Sequence, residues 1–356
     1  MPWNDLVGHN EIADRFRHAL AAGRLAHTFL FVGPEGIGKR SFAFALAQAL
    51  LCQQRAAELL NPCGQCPSCV QVYAGTNPDL ITVSRPEGKR DIPVGVLKGD
   101  DKDYAVEQSL LFNLGLRPFY GGRKVAILDD ADFLNPEGAN CLLKTLEEPP
   151  PASVLILIGT SADKQLPTIR SRAQIIRFRP LANDVVAKLL VERQIVSEAS
   201  EAKRLAAYSA GSLTRAIELA DPALWEFRRD VLMQLGQATL SSAALAQGTI
   251  KFVDEAGKDA PPRRARLRLA IGFSTDFFRQ LVRRLSGLQP QGDAVLIKAV
   301  ESAASHGAWD LESASDAVER CLEAAAEVDR NANQHTLIEA WLDELVSGRW
   351  AVGSGR

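Results

Sequence analysis

Thr28-Phe-Leu-Phe-Val32 followed at once by Gly33-Pro-Glu-Gly-Ile-Gly38-Lys39 reads as an apolar strand, a glycine-rich turn and a helix starting near Lys39. That order is the setting of a phosphate loop. Glycines let backbone N–H groups converge on phosphate oxygens, Lys39 would meet the terminal phosphates, and the helix N-terminus adds a favourable dipole. A bare glycine turn is the plainer reading of the same residues, and the strand–loop–helix placement argues against it. The complete motif carries Ser or Thr after the lysine as a ligand for Mg²⁺. Arg40 stands there, and a guanidinium only donates, so it cannot ligate a cation. Ser41 follows one step further and is expected to point elsewhere on the helix. Weak ATP or ADP binding at Gly33, Gly36, Gly38 and Lys39 is therefore expected, with hydrolysis near background.

Four more short apolar runs follow: Asp79–Val83, Val125–Leu128, Val154–Ile158 and Ile175–Phe178. Helical segments lie between most of them, and strands alternating with helices imply a parallel sheet covered on both faces. From about Leu181 the character changes to alanine-rich, helix-period stripes, such as Ala270, Phe273, Phe277, Leu281 and Leu285. The expected organisation is a core over 1–180, a small helical module over 181–222 and a larger helical domain over 223–350, with the break near Asp221–Pro222. Ser84–Asp103 reads as a long loop, Gly257–Pro262 as a second loop, Pro290–Gly292 as a turn and Gly353–Arg356 as a disordered tail.

Val125-Ala-Ile-Leu-Asp129-Asp130-Ala-Asp132 is an apolar strand ending in acids, the Walker B pattern, with Asp129 placed to hold Mg²⁺ through water. The plainer reading, a strand end with solvated acids, is the commoner outcome for such a run alone. ATPases of this type follow the first acid with Glu to polarise the attacking water. Asp130 is shorter by one methylene, and proton transfer demands close approach.

Cys52, Cys63, Cys66 and Cys69 crowd into one stretch among Asn61-Pro62, Gly64 and Pro67. Four thiolates at such spacing make a closed tetrahedral site for structural Zn²⁺, with no open position for water. Four unrelated core cysteines would not fall at regular intervals. Cys141 and Cys321 sit in helical patterns and read as ordinary core residues. Two further arginines, Arg170 and Arg172, lie in Leu166-Pro-Thr-Ile-Arg170-Ser171-Arg172-Ala173 before the fifth strand, and on pattern alone they read as solvated surface.

With 46% hydrophobic and 24% charged residues the composition is that of a globular protein, and a formal net charge of −2 excludes a basic chain that coats nucleic acid by itself. Met1–Val7 has neither the basic nor the apolar region of a signal peptide, and runs such as Phe42–Cys52 are too short to span a bilayer. A cytoplasmic protein with no membrane contact is expected.

These residues together resemble the AAA+ subunits of bacterial clamp loaders. Asn140-Cys-Leu-Leu-Lys-Thr-Leu-Glu-Glu-Pro149-Pro150 is similar to the family's segment after Walker B. Leu6-Val7-Gly8-His9, Arg117-Pro-Phe-Tyr-Gly-Gly-Arg-Lys124, the cysteine insertion, Gly211-Ser212-Leu213 and Asn331-Ala-Asn333 are similar as well. The likeness covers essentially the whole chain and is weakest between Trp225 and Ala326. It implies α/β plus all-α architecture: a RecA-like AAA+ core with a parallel five-stranded sheet, a small helical lid and a C-terminal helical collar that assembles a five-membered ring. It adds Val7 and Gly8 to the nucleotide contacts and implies partners: motor (gamma/tau) and delta subunits, the sliding clamp, and primer-template DNA reached through the assembly. Ser171-Arg172 matches the family's Ser-Arg-Cys motif, with Ala173 in place of Cys, which makes Arg172 an arginine finger acting on ATP held by a neighbour.

The departures sort the family's members. By the resemblance, a motor subunit has Thr at 40, Glu at 130 and Arg at the sensor-2 position. Here Arg40, Asp130 and Thr214 stand there, with Arg215 one place off and Thr160 or Ser161 in the sensor-1 region. Loss of all three with the finger kept is the pattern of a stator: a subunit of a DNA polymerase (nucleotidyltransferase) holoenzyme with little or no ATPase of its own. The alternatives are an active motor subunit or related branch-migration helicase, supported by Gly38-Lys39 and Asp129, and a zinc-dependent nucleic-acid-binding module, supported by the cysteines alone.

Overall fold

The computed structural model describes residues 7–86, 88–99, 104–330 and 332–348. The chain divides into two compact units, Met1–Ala220 and Asp221–Arg356. In the first, β1 (Thr28–Val32), β2 (Leu80–Val83), β3 (Lys124–Leu128), β4 (Ser153–Gly159) and β5 (Gln174–Arg177) form a sheet in the order β2-β3-β4-β1-β5, every pairing parallel. Around it lie α1 (Asn10–Ala21), α2 (Lys39–Leu51), α3 (Pro67–Ala74), α4 (Val94–Lys98), α5 (Leu110–Gly115), α6 (Pro136–Glu147) and α7 (Pro167–Arg170). The small helices α8 (Asn183–Glu192), α9 (Ala199–Tyr208) and α10 (Leu213–Glu218) follow.

Strands β1, β3 and β4 are buried at every residue, which is why their sequences run apolar instead of alternating. The two faces still divide by the period of two. Phe29 and Phe31 of β1 join Phe16, Phe42 and Phe178 in one core, and Leu30 and Val32 join Leu128, Leu142 and Leu157 in the other. Asp79, read as the first residue of a strand, stands just before β2. Its carboxylate accepts N–H bonds from Phe119 (2.7 Å) and Tyr120 (3.0 Å) and pairs with Lys124 Nζ at 3.3 Å, both side chains nearly fully buried. This pair anchors the Arg117–Lys124 segment to the sheet.

The segment Ser84–Asp103 is not all loop. It contains α4, whose Leu97 is fully buried, and Ile92 N–H bonds to Phe133 O at 2.9 Å. A five-residue helix is too short to show a 3.6-residue period, so composition alone hid it.

Among the described residues the elements of the second unit are all helices: α11 (Pro222–Leu235), α12 (Ser242–Asp254), α13 (Ala260–Leu285), α14 (Ala294–Ser305), α15 (Leu311–Asp329) and α16 (Gln334–Gly348). Asp221 caps α11 by accepting from Ala223 N–H at 3.0 Å, with Pro222 opening the helix. The stripe on α13 faces inward, with Ala270, Phe273, Phe277 and Leu281 buried and Leu285 partly so. The loop expected over Gly257–Pro262 is shorter than read, because Pro261 and Pro262 occupy the first turn of α13. Proline is tolerated there since a first-turn N–H has no helical partner to lose. Pro290–Gly292 is a turn between α13 and α14. Asn331 and the tail Gly353–Arg356 lie outside the described residues. The fold class is thus α/β plus all-α: a parallel five-stranded sheet with helices around it, three small helices after it, and a C-terminal helical unit. Among the described residues no helix is long and apolar enough to cross a membrane.

Candidate functional site

The loop after β1 turns on glycines with positive φ at 33, 36 and 38. At Gly33 a Cβ would lie 2.5 Å from Phe178 O, so the turn can pack against the end of β5 only without a side chain. Gly36 O accepts the N–H of Leu213 at 2.9 Å, which fastens the start of α10 onto the loop. Lys39 opens α2, is nearly fully buried, and donates from Nζ to Gly33 O (2.6 Å) and Pro34 O (2.5 Å). Burial pulls its pKa down, opposed by the charges of Glu35, Asp129 and Asp132. His9 donates from Nε2 to Ile37 O at 2.7 Å and stacks edge-on to Phe178 at 4.9 Å. Burial lowers its pKa, opposed by the bond to Ile37 O, which favours the protonated ring.

The end of β3 faces this loop. Asp129 N–H bonds to Val83 O at 2.8 Å, and its Oδ1 accepts the N–H of Asp130 at 3.0 Å. Asp130 adopts a left-handed conformation, φ 57°. Oδ2 of Asp129 lies 3.5 Å from Nε of Arg40, whose guanidinium also sits over the Phe44 ring, 5.5 Å from its centroid. Burial, with the charge of Asp130, raises the Asp129 pKa against the pull of its Asp130 N–H bond, Arg40 and Lys39. Asp132 ties the end of β3 to the end of β4: it accepts from Thr160 N–H at 2.8 Å, from the Thr160 hydroxyl and from Gln165 Nε2 at 2.7 Å.

A cavity of about 380 Å³ lies between these parts, within the size range of small-molecule sites. Its walls include Val7, Gly36, Gly38, Lys39 and Asp129 of the expected nucleotide residues; Gly8 and Gly33 shape the turns beside it without lining it. Ser41, expected to point elsewhere, does line it. The cavity wraps around the first turn of α2, so Lys39, Arg40 and Ser41 all line it. Thr214 is in the wall and Arg215 is not. His9, Asp132 and Arg193 were not singled out as site residues, although each lines the cavity. Asp132 was within reach, since a third acid two residues past Asp130 sits just beyond the strand end. Arg193 ends a helix in a different segment and carries no local signal. Arg172 is absent from the cavity's lining. It follows α7, pairs with Glu147 at 2.5 Å and donates to Thr168 O at 3.1 Å.

The cysteine site is compact. The Sγ atoms of Cys52, Cys63, Cys66 and Cys69 all lie within 4.8 Å of one another, and those of Cys63 and Cys69 are 3.9 Å apart. Zn–S bonds of about 2.3 Å in a tetrahedron put sulfurs roughly 3.8 Å apart, so the donor set fits such an ion. Backbone N–H groups point at the sulfurs: Cys66 N to Cys63 Sγ at 3.3 Å, and Cys69 N to Cys66 Sγ at 3.4 Å. The N–H groups of Gln65 and Cys66 draw the Cys63 thiol down to about 6, while burial pushes Cys69 up. Of the remaining cysteines Cys321 is fully buried, its thiol pushed up to about 11 by burial, and Cys141 is only half-buried.

Comparison with known proteins bears on the same region. A family described as "DNA polymerase III, delta subunit" matches residues 8–182. The chain resembles subunits of the DNA polymerase III clamp loader. Among clamp-loader relatives, the DNA polymerase III subunit delta' of Pseudomonas aeruginosa is 34% identical over 65% of this chain and 64% of its own length. The gamma/tau subunit of Mycobacterium tuberculosis is 30% identical over 92% of this chain and 54% of its own. The chain therefore spans less than two thirds of these relatives. A solved structure of a gamma-subunit-related protein from Thermotoga maritima aligns with TM-score 0.41 and 17% identity, over 95% of this chain and 99% of that one. The Holliday junction branch migration motor RuvB from the same organism aligns with TM-score 0.38 and 16% identity, over 89% and 86%.

Proposed function

We propose that this chain is a non-motor, stator subunit of the DNA polymerase III clamp loader, of the delta-prime kind. It acts in the cytoplasm in a hetero-pentameric ring with motor (gamma/tau) and delta subunits, and meets the sliding clamp and primer-template DNA through that assembly. Its own phosphate loop binds ATP or ADP weakly and turns over little or none. Cys52, Cys63, Cys66 and Cys69 hold one structural Zn²⁺, which supplies a rigid crosslink and no chemistry.

The observation that carries this reading is the position of Arg172. It lies outside the walls of the cavity its own chain forms, on an exposed turn after α7. A guanidinium presents a planar fork of donors suited to phosphate oxygens, and it is spent usefully only on a nucleotide held by another subunit. The likeness to delta' supports the same reading.

The test is Arg172→Ala in a complex reconstituted with motor and delta subunits. Turnover at the adjacent motor site should fall on the order of 10³-fold or more, as for arginine fingers in related phosphoryl transfer. Arg172→Lys should not rescue fully, because a point charge cannot reproduce the fork. Arg170→Ala should do less. Undiminished turnover with alanine at 172 sinks the finger assignment. An active motor subunit is the second reading, favoured by the 30% identity to gamma/tau across 92% of the chain. Turnover by the isolated chain on the order of 1 s⁻¹ would favour it.

A further inference from the structure

A phosphate loop in a working ATPase shares its nucleotide with Mg²⁺, which bridges the outer phosphates and is held by the loop hydroxyl and the Walker B acid. The residues here do not fit that ion. The hydroxyl position is Arg40. Both oxygens of Asp129 are engaged, Oδ1 by the Asp130 N–H at 3.0 Å and Oδ2 by Arg40 Nε at 3.5 Å. Asp132 is likewise occupied, by Thr160 and Gln165. The Arg40 guanidinium is placed from two sides, by the carboxylate and by the Phe44 ring one helical turn along α2. It lines the same cavity as Lys39. The ammonium of Lys39 and the guanidinium of Arg40 thus stand together at the mouth of the loop, next to the acid that would otherwise hold the metal.

We propose that this loop takes its nucleoside di- or triphosphate without a divalent cation, the Arg40 guanidinium standing in for the metal between Asp129 and the phosphate oxygens. The inference rests on the weak nucleotide binding proposed above and specifies the form that is bound. A guanidinium supplies charge-assisted hydrogen bonds to phosphate but brings no ligand water and no second positive charge. The site is therefore a holder of metal-free nucleotide.

The sign of the Mg²⁺ effect follows. In solution Mg²⁺ converts free ATP to its complex, and a site that accepts only the free anion sees a smaller competent fraction. Apparent affinity drops in proportion to that fraction. A metal-using site responds oppositely.

The experiment is calorimetric titration of the full chain with ATP and with ADP, in EDTA and in excess MgCl₂. The expected result is tighter binding in EDTA, with millimolar Mg²⁺ weakening ATP binding by about tenfold or more. Arg40→Thr restores the hydroxyl and frees Asp129, so Mg²⁺ should then strengthen binding. Wild-type binding that Mg²⁺ tightens overturns this inference and leaves the nucleotide reading standing. No binding in either buffer overturns the nucleotide reading, and this inference with it. Should Arg40→Thr fold and bind with the same Mg²⁺ response as wild type, the role given to Arg40 is wrong. The wild-type titrations decide the matter even if a variant does not fold.

Discussion

The four clustered cysteines come from one short run, Cys52 to Cys69, whereas the cavity around Lys39 is walled by residues from Val7 to Ile217. The difference sets how each can vary. Thiolates at Cys-x₂-Cys spacing are brought together by one turn of backbone, with N–H groups already aimed at the sulfurs, so the site needs only its own segment. The cavity depends on the sheet bringing the β1 loop, the β3 end and α10 together. Its parts can therefore change singly while the shape persists. Position 40 carries Arg where the full phosphate-loop motif has a hydroxyl, yet the loop turns, α2 begins at Lys39 and α10 bonds to Gly36.

The largest effect should come from breaking the local site. Cys66 is buried, caps α3 and accepts the Cys69 N–H. Cys66→Ser should take bound zinc from about one per chain to none and cost several kcal/mol, less than the roughly 10–16 kcal/mol of isolated zinc-finger peptides. The loss is smaller because α3 also packs on α2, with Val72 in the core. Hydrogen exchange should show protection lost over Cys52–Ala74 and kept in β1, β3 and β4, because the site is self-contained. Metal analysis of wild-type protein finding no zinc, or protection lost evenly through the sheet, would undo the contrast.

That contrast also explains what could be read before the fold was in hand. All five strands were legible as apolar runs, β1 to the residue: the buried β1, β3 and β4 run continuously apolar, and the edge strands β2 and β5 still carry β-branched residues. The cysteine cluster was legible from spacing. The helix α4 was not, since five residues hold too little pattern, and the prolines opening α13 looked like a loop because their helical tolerance depends on position. Within the cavity, the departures at Arg40 and Asp130 were plain. The Arg40–Asp129 contact, the Leu213–Gly36 bond and the Asp132–Thr160 link were not, because each joins segments far apart in the chain.

A middle-sized effect should follow at Asp132, where the convergent site is tied together. Asp132→Ala leaves the Thr160 N–H and the Gln165 amide without their acceptor in a poorly hydrated place. An orphaned buried polar group costs about 1–3 kcal/mol, so Tm should fall by several degrees. Unlike the cysteine variant, this one should lower the stability of the sheet as a whole, since the lost bonds join the ends of β3 and β4. Asp132→Asn keeps one acceptor oxygen and should recover part of the loss. Thermal unfolding followed by circular dichroism measures both; an unchanged Tm in the alanine variant would show that the strand ends are held by other contacts.

The smallest effect is expected at Arg172 in the isolated chain, and it decides how the complex assay is read. Arg172 and Glu147 are 33% and 51% exposed, and their ion pair at 2.5 Å joins the end of α6 to the turn after α7. Solvent screens such a pair and holding two long side chains costs entropy, so its net worth is about 0.2–1 kcal/mol. The bond from Arg172 to Thr168 O is local and exposed, and water can replace it. Arg172→Ala should therefore leave Tm within about 2–4 °C of wild type. Added salt should narrow the gap further, since the Debye length shrinks to about 3 Å at 1 M. Glu147→Gln should match the alanine variant within error, because both remove the same pair. A loss well beyond 2 kcal/mol would make Arg172 a structural tie between α6 and α7. Reduced turnover in the complex would then report a disturbed subunit, and only Arg172→Lys, which keeps the ion pair but not the fork, could still separate chemistry from packing.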